Sequence, residues 1–192
     1  MNKKIIVLNG SPRGKGNTAS LIDEFTRGAE EGGNTVVRFD LQEIDIHPCL
    51  GCFGGGKNSE SPCVQKDDME QIYPIYKDAD IVVLASPMYY WSISGQLKCA
   101  FDRLFAVAEC DSNYANPKKN CMMLMAAEGN SERNFESVVH YYKALLSHLR
   151  WKDCGMVLAG GNMEIGDIQN NDKQLEEARK LGASIKWLKE KV

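Results

Sequence analysis

The sequence predicts an α/β domain of three layers built on a five-stranded parallel sheet. Three observations carry that prediction. Five short apolar runs recur along the 192 residues, segments of helical period lie between them, and the two kinds alternate without exception. Alternating strands and helices imply right-handed crossovers onto one sheet. A chain of this length, with 43% hydrophobic and 26% charged residues, makes one domain over 1–192 the expectation.

The elements follow in order. Lys4–Leu8, Asp80–Ala85, Cys121–Ala127 and Cys154–Ala159 are nearly continuous apolar runs, the pattern of strands covered on both faces. In Thr35–Leu41 the residues Thr35, Val37, Phe39 and Leu41 alternate with Val36, Arg38 and Asp40, which predicts an edge strand. Among the helices, Leu21, Ile22, Phe25 and Ala29 share a face, as do Leu97, Phe101, Leu104 and Phe105. The strongest stripe is Phe135, Val138, Val139, Tyr142, Leu145, Leu146 and Leu149, and Leu175, Ala178, Leu181, Ile185 and Leu188 form the last. A weaker segment, Met69 to Ala79, carries Ile72, Tyr73 and Tyr76. Five strands with the second at an edge suit the flavodoxin-like order 2-1-3-4-5.

Charge and cysteine use bound the surroundings. A formal net charge of −3 shows no basic excess, so a nucleic-acid partner is not expected. The apolar run near the N-terminus is too short for a secretory core, and no segment suits a membrane span. Seven cysteines without regular spacing do not form a secreted disulfide framework. A cytoplasmic protein without a membrane partner is expected.

In an open parallel sheet, ligands bind beyond the carboxyl ends of the strands near the switch in strand order. Four loops reach that edge: GSPRGKGNT (10–18), SPMYYWSIS (86–94), EGNSER (128–133) and GGNMEIGDIQN (160–170). In the first, Gly10, Gly14 and Gly16 let the backbone approach a ligand. Ser11, Asn17 and Thr18 supply donors at a helix N-terminus, and Arg13 can add a guanidinium. That set suits a phosphate. A P-loop would need four residues between its glycines and then Lys-Ser or Lys-Thr, and G-x-G-x-x-G is absent too, so neither nucleotide hydrolysis nor NAD-type Rossmann binding is predicted.

Pro87, Met88, Tyr89, Tyr90 and Trp91 directly follow a buried strand, where a plain turn would use small polar residues. Three consecutive aromatics can flank a flat ring system, although such rings also pack into cores and interfaces. A phosphate cradle beside an aromatic wall points to a phosphorylated planar cofactor, and FMN is the switch-point ligand of this strand order.

GSPRGKGNT, DADIVVLASPMYYWSISGQLKCAFDR (78–103) and PCLGC (48–52) together resemble the NADPH-dependent FMN reductase family, and within it the iron-sulfur flavoprotein branch. The resemblance covers roughly residues 4–130. It implies that Ser11, Arg13, Asn17 and Thr18 hold the FMN phosphate and that Pro87, Met88, Tyr89, Tyr90 and Trp91 line the isoalloxazine. It also implies that the loop at Glu128 and Gly129 touches the pyrimidine side or ribityl chain, and that the chain assembles as a homodimer or homotetramer.

The cysteine segment departs from the branch pattern. Cys49 and Cys52 keep a two-residue spacing, but Gly55 stands where the next cysteine belongs, and Cys63 follows later. A [4Fe–4S] cubane is one thiolate short. His47 could complete a Cys₃His zinc site, Cys49 and Cys52 could pair as a disulfide, or the three thiols simply lie in a long loop over the flavin. Cys99, Cys121 and Cys154 are expected in the core. His140 and His148 fall off their helix's apolar stripe and read as solvated, Asp67-Asp68 reads as a helix N-cap, and Asp102-Arg103 as structural ion-pair partners.

The function expected is an FMN-dependent oxidoreductase, with NAD(P)H as co-substrate and a flavin, quinone or other planar small molecule as electron acceptor. The alternative is a non-catalytic electron-transfer flavoprotein serving protein partners. No acid-base catalyst is assigned, and no metal ligand.

Overall fold

A computed structural model describes residues 2–187. The strands are β1 (Lys4–Asn9), β2 (Thr35–Asp40), β3 (Ile81–Pro87), β4 (Asn120–Ala126) and β5 (Lys152–Ala159). They form one sheet of order β2-β1-β3-β4-β5, and every pairing is parallel. This is the flavodoxin-like order expected, with β2 at an edge. The helices are α1 (Asn17–Glu31), α2 (Met69–Asp78), α3 (Gly95–Arg103), the single turn α4 (Phe105–Ala108), α5 (Glu132–Leu149) and α6 (Asp172–Ala183).

Successive strand residues feed two separate cores because side chains alternate across a sheet. Ile6, Leu8, Val82, Leu84, Met123 and Met125 pack with Tyr73 and Tyr76 of α2, Leu97 of α3 and Phe135, Val138, Tyr142 and Leu146 of α5. Ile5, Val7, Val83, Met122 and Leu124 pack with Leu21, Ile22 and Phe25 of α1 and with Ala178 of α6. Helices α1 and α6 touch backbone to backbone. A Cβ on Gly28 would lie 2.1 Å from the Arg179 carbonyl oxygen, and one on Gly182 would lie 2.1 Å from that of Phe25.

Several expectations change. β5, the far edge in the expected order, is not covered on both faces throughout: it is exposed to partly buried toward its start, with a register shift opposite Cys121 and Met123. The third helical stripe breaks at Leu104, so Phe105 leaves the core. It makes an edge contact with Phe53 and stacks on Tyr114. Of the three cysteines expected inside, Cys121 is buried, whereas Cys99 and Cys154 are half-buried. Leu188 of the last stripe lies outside the described residues. His140 and His148 are exposed, as expected. No helix among the described residues is long and apolar enough to cross a membrane.

Candidate functional site

The loop after β1 is shaped from below by Asn9, which is fully buried. Its amide donates to Asp40 Oδ1 at 2.6 Å, and its Oδ1 accepts the Ser11 N–H at 3.0 Å. The Ser11 hydroxyl then accepts the Arg13 N–H at 3.2 Å, curling the chain toward α1. Gly16 caps that helix in an extended conformation without a side-chain cap. The N–H groups of Asn17, Thr18 and Ala19 have no hydrogen-bond acceptor among the described residues. Thr18 is buried, and its hydroxyl also has no partner among them. Unpaired donors at the positive end of a helix dipole favour an anion. Arg13 is exposed beside them and pairs its guanidinium with no described residue.

These groups open into a cavity of about 210 Å³ at the carboxyl edge of the sheet. Ser11, Arg13, Asn17 and Thr18 line it from the first loop, Pro87, Met88 and Tyr89 from the second, and Glu128 from the third. Tyr89 and Glu128 also face an adjoining cavity of about 290 Å³, which Met88, Tyr90, Trp91 and Gly129 help to line. All eleven residues singled out in the sequence thus border one of two neighbouring spaces.

The aromatic loop is a two-residue hairpin. Tyr89 and Ser92 exchange both backbone hydrogen bonds at 3.0 Å, which leaves Tyr90 and Trp91 at the tip with φ of 47° and 60°. Such turns favour Asn-Gly because both central residues are left-handed, and bulky side chains there cost energy. Tyr90 is 96% exposed and Trp91 58%, so they form an outer rim of the second cavity.

Asn17 has a second role that sequence reasoning missed. Its Nδ2 donates to the Asn162 and Glu164 carbonyl oxygens at 3.3 and 2.8 Å, and its Oδ1 accepts from the Gly166 and Ile168 N–H groups. The side chain is saturated by the loop after β5, so what Asn17 offers the cavity is its backbone N–H. Asn162 and Met163 line the cavity too, and the Gly-Gly-Asn start of that loop was their one sequence signal. Asn162 is itself laced to Ala159, Gly160 and Gln174 through its amide.

The cysteine loop borders a separate apolar cavity of about 90 Å³, lined by Cys49, Cys52 and Cys63 with Phe53, Arg103 and Glu109. Behind it Arg103 grips Asp67, with contacts of 2.5 and 3.0 Å, and donates to the His47 carbonyl at 2.8 Å. Both side chains are 1% exposed. Burial pushes the Asp67 carboxyl up, but the Arg103 hydrogen bonds and charge, with N–H donation from His47 and Met69, outweigh it and hold the group below the usual carboxylate range. Asp67 accepts the N–H of Met69, the first residue of α2, while Asp68 at the N-cap position makes no side-chain cap, and the principal partner of Asp67 is Arg103. Asp102 pairs with Lys98. Among the described residues, no three or more His, Cys, Asp or Glu side chains are arranged to hold a metal ion, and His47 does not line the thiol cavity.

A model of the NADPH-dependent FMN reductase family matches residues 3–163, and the chain belongs to that family. An iron-sulfur flavoprotein of Methanocaldococcus jannaschii is 27% identical over 186 residues, covering 95% of each chain. The structure of the NAD(P)H:quinone oxidoreductase from Methanothermobacter marburgensis superposes with a TM-score of 0.76 at 20% identity, covering 100% of this chain and 99% of that one. An FMN-dependent NADH-azoreductase from Bacillus anthracis, solved with FMN, superposes at 0.70 with 13% identity, covering 95% and 99%. Likeness at that distance shows the shared fold.

Proposed function

We propose that this member of the NADPH-dependent FMN reductase family binds FMN across the two joined cavities and takes electrons from NAD(P)H to a planar small-molecule acceptor. The observation that carries the reading is the uncapped, buried start of α1, with an unpaired Arg13 beside it and an aromatic-walled space next door. The donor set fits the cofactor. The N–H groups of residues 17–19, the Thr18 hydroxyl and Arg13 would hold the phosphate dianion. Ser11 shapes the turn, and Pro87, Met88 and Tyr89 would face the ring. Glu128 and Gly129 would border the ring's far side.

FMN, when bound, supplies the hydride and electron chemistry, and the protein contributes binding, orientation and exclusion of water. Tyr89 spans both cavities, so it would separate the phosphate compartment from the one where a second planar molecule enters. Tyr90 and Trp91 form the outer rim, and their faces would admit flat acceptors and narrow the access of water. No side chain is required as an acid or base.

The iron-sulfur flavoprotein relative supports a second reading, electron transfer to protein partners. A cytoplasmic homodimer or homotetramer is part of the proposal. The test is anaerobic titration of the FMN-loaded protein with NADPH and then NADH. Rapid loss of oxidised-flavin absorbance is expected. Flavin that resists both nucleotides but is reduced by dithionite would favour the electron carrier, and failure to bind added FMN would overturn the site.

A further inference from the structure

A four-iron cubane takes four thiolates, and the segment from Cys49 to Cys63 offers three. Gly55, at the spacing of the missing one, has no room for a side chain. A Cβ there would lie 2.3 Å from Glu109 Oε2 and 2.8 Å from the Pro62 carbonyl oxygen, and the second contact is backbone. The three thiols border one cavity without converging as a metal site among the described residues. The residues present do not fit the cluster for which the Methanocaldococcus relative is named.

They fit a dithiol. We infer that Cys49 and Cys52 form a metal-free redox pair that closes reversibly to a disulfide by exchange with low-molecular-weight disulfides. Both cysteines are exposed and border the same cavity. Between them Gly51 takes a left-handed φ of 61°, which turns the chain back. Its N–H donates to Cys49 Sγ at 3.4 Å, which holds that sulfur on the inner side of the turn. Arg103 reaches the same cavity, is 1% exposed, and its Nε has no hydrogen-bond partner. Its charge is already balanced by Asp67, so what it offers the cavity is an unused N–H donor. Cys63 is half-buried and packs against the core cluster that includes Tyr73. That placement makes Cys63 part of the wall and not of the pair.

The exchange balances. The Cys49 thiolate attacks one sulfur of oxidised glutathione, forming a mixed disulfide and expelling one glutathione thiolate. Cys52 then attacks the Cys49 sulfur and expels the second. The protein loses two electrons, the small disulfide gains them, and the two protons lost by the cysteines pass to the released thiolates. The inference does not depend on flavin binding.

The full chain would be equilibrated without air in glutathione buffers of varied ratio, quenched with an alkylating agent, and weighed intact. One two-electron transition mapping to Cys49 and Cys52 is expected in the parent and in Cys63→Ser, and its absence in Cys49→Ser. Cys52→Ser should trap one glutathione on Cys49. Cys49 and Cys52 are exposed and Cys63 is half-buried, and matched far-UV dichroism would confirm that each variant is folded. Full alkylation of both residues at every ratio, a disulfide that needs Cys63, or uptake of iron and sulfide in equal amounts with loss of the free thiols would overturn the inference.

Discussion

The side-chain amide of Asn17 donates to the Glu164 carbonyl at 2.8 Å, tying the start of α1 to the loop behind β5 across 147 positions of sequence. Three further hydrogen bonds from the same side chain complete the tie. The wall of the candidate phosphate cavity is therefore held from the opposite end of the chain.

Asn17→Ala removes all four bonds, and two of the lost partners are backbone carbonyls. At about 0.5–1.5 kcal/mol net for each bond, the expected loss is roughly 2–6 kcal/mol by urea unfolding. Added FMN should recover less stability in the variant than in the parent. Asn17→Asp keeps the two bonds accepted from Gly166 and Ile168 and places a negative charge beside the phosphate, so FMN affinity should fall further than stability does.

Arg13 separates phosphate recognition from ring recognition. Arg13→Ala should weaken FMN binding about 10- to 100-fold, which is roughly 1.4–2.8 kcal/mol, and leave riboflavin affinity unchanged. Equal losses for the two ligands in fluorescence titrations would remove Arg13 from the phosphate site.

Asp67 makes stability depend on pH in the acid range. Its folded value lies below the unfolded 3.8, so the unfolded chain binds more protons between the two values and stability rises with pH there. The contribution is complete above the unfolded value and is lost as pH falls through the folded one. Asp67→Asn should flatten that part of the profile. It should also cost about 3–5 kcal/mol at neutral pH, because Arg103 is left buried with its charge uncompensated. The paired change Asp67→Leu with Arg103→Met should recover much of that loss.

The hairpin tip sets stability against use. Replacing Tyr90 and Trp91 together by Asn-Gly gives the left-handed turn the residues it favours and should stabilise the fold by about 1–2 kcal/mol. Turnover with planar acceptors should fall, since the outer aromatic rim is gone. A rise in melting temperature with unchanged turnover would mean that the rim does not meet the acceptor.

The strand order could be read from the sequence because each strand interior is apolar on both faces, while Arg38 and Asp40 mark β2 as an edge. The order also puts β5 at the far edge, but its partial exposure was not legible because Cys154 to Ala159 carries no charged residue, although the charged Lys152 and Asp153 stand just before it. Loop positions followed from topology, which is why Ser11, Arg13, Thr18, Pro87 and Met88 fall around one cavity. The Asp67–Arg103 pair was hidden for a different reason. Its members lie 36 residues apart in separate helical contexts, and no periodicity joins them. The bonds of Asn17 were invisible likewise, since an amide at a helix start looks the same whether it meets a ligand or another loop.

The glycine crossing of α1 and α6 bears on how the protein is made. A chain leaving the ribosome presents α1 early, yet the groove that receives it at Gly28 and Phe25 is supplied by residues 179–183. Until that segment emerges, the flank of α1 at Phe25 and Gly28 lacks its cover, although Leu21 and Ile22 can already pack on the sheet. The proposed cofactor site would then be completed late, after the loop behind β5 that ties Asn17 has been translated. Limited proteolysis of chains stalled before Asp172 should cut within α1, and addition of FMN should not protect them.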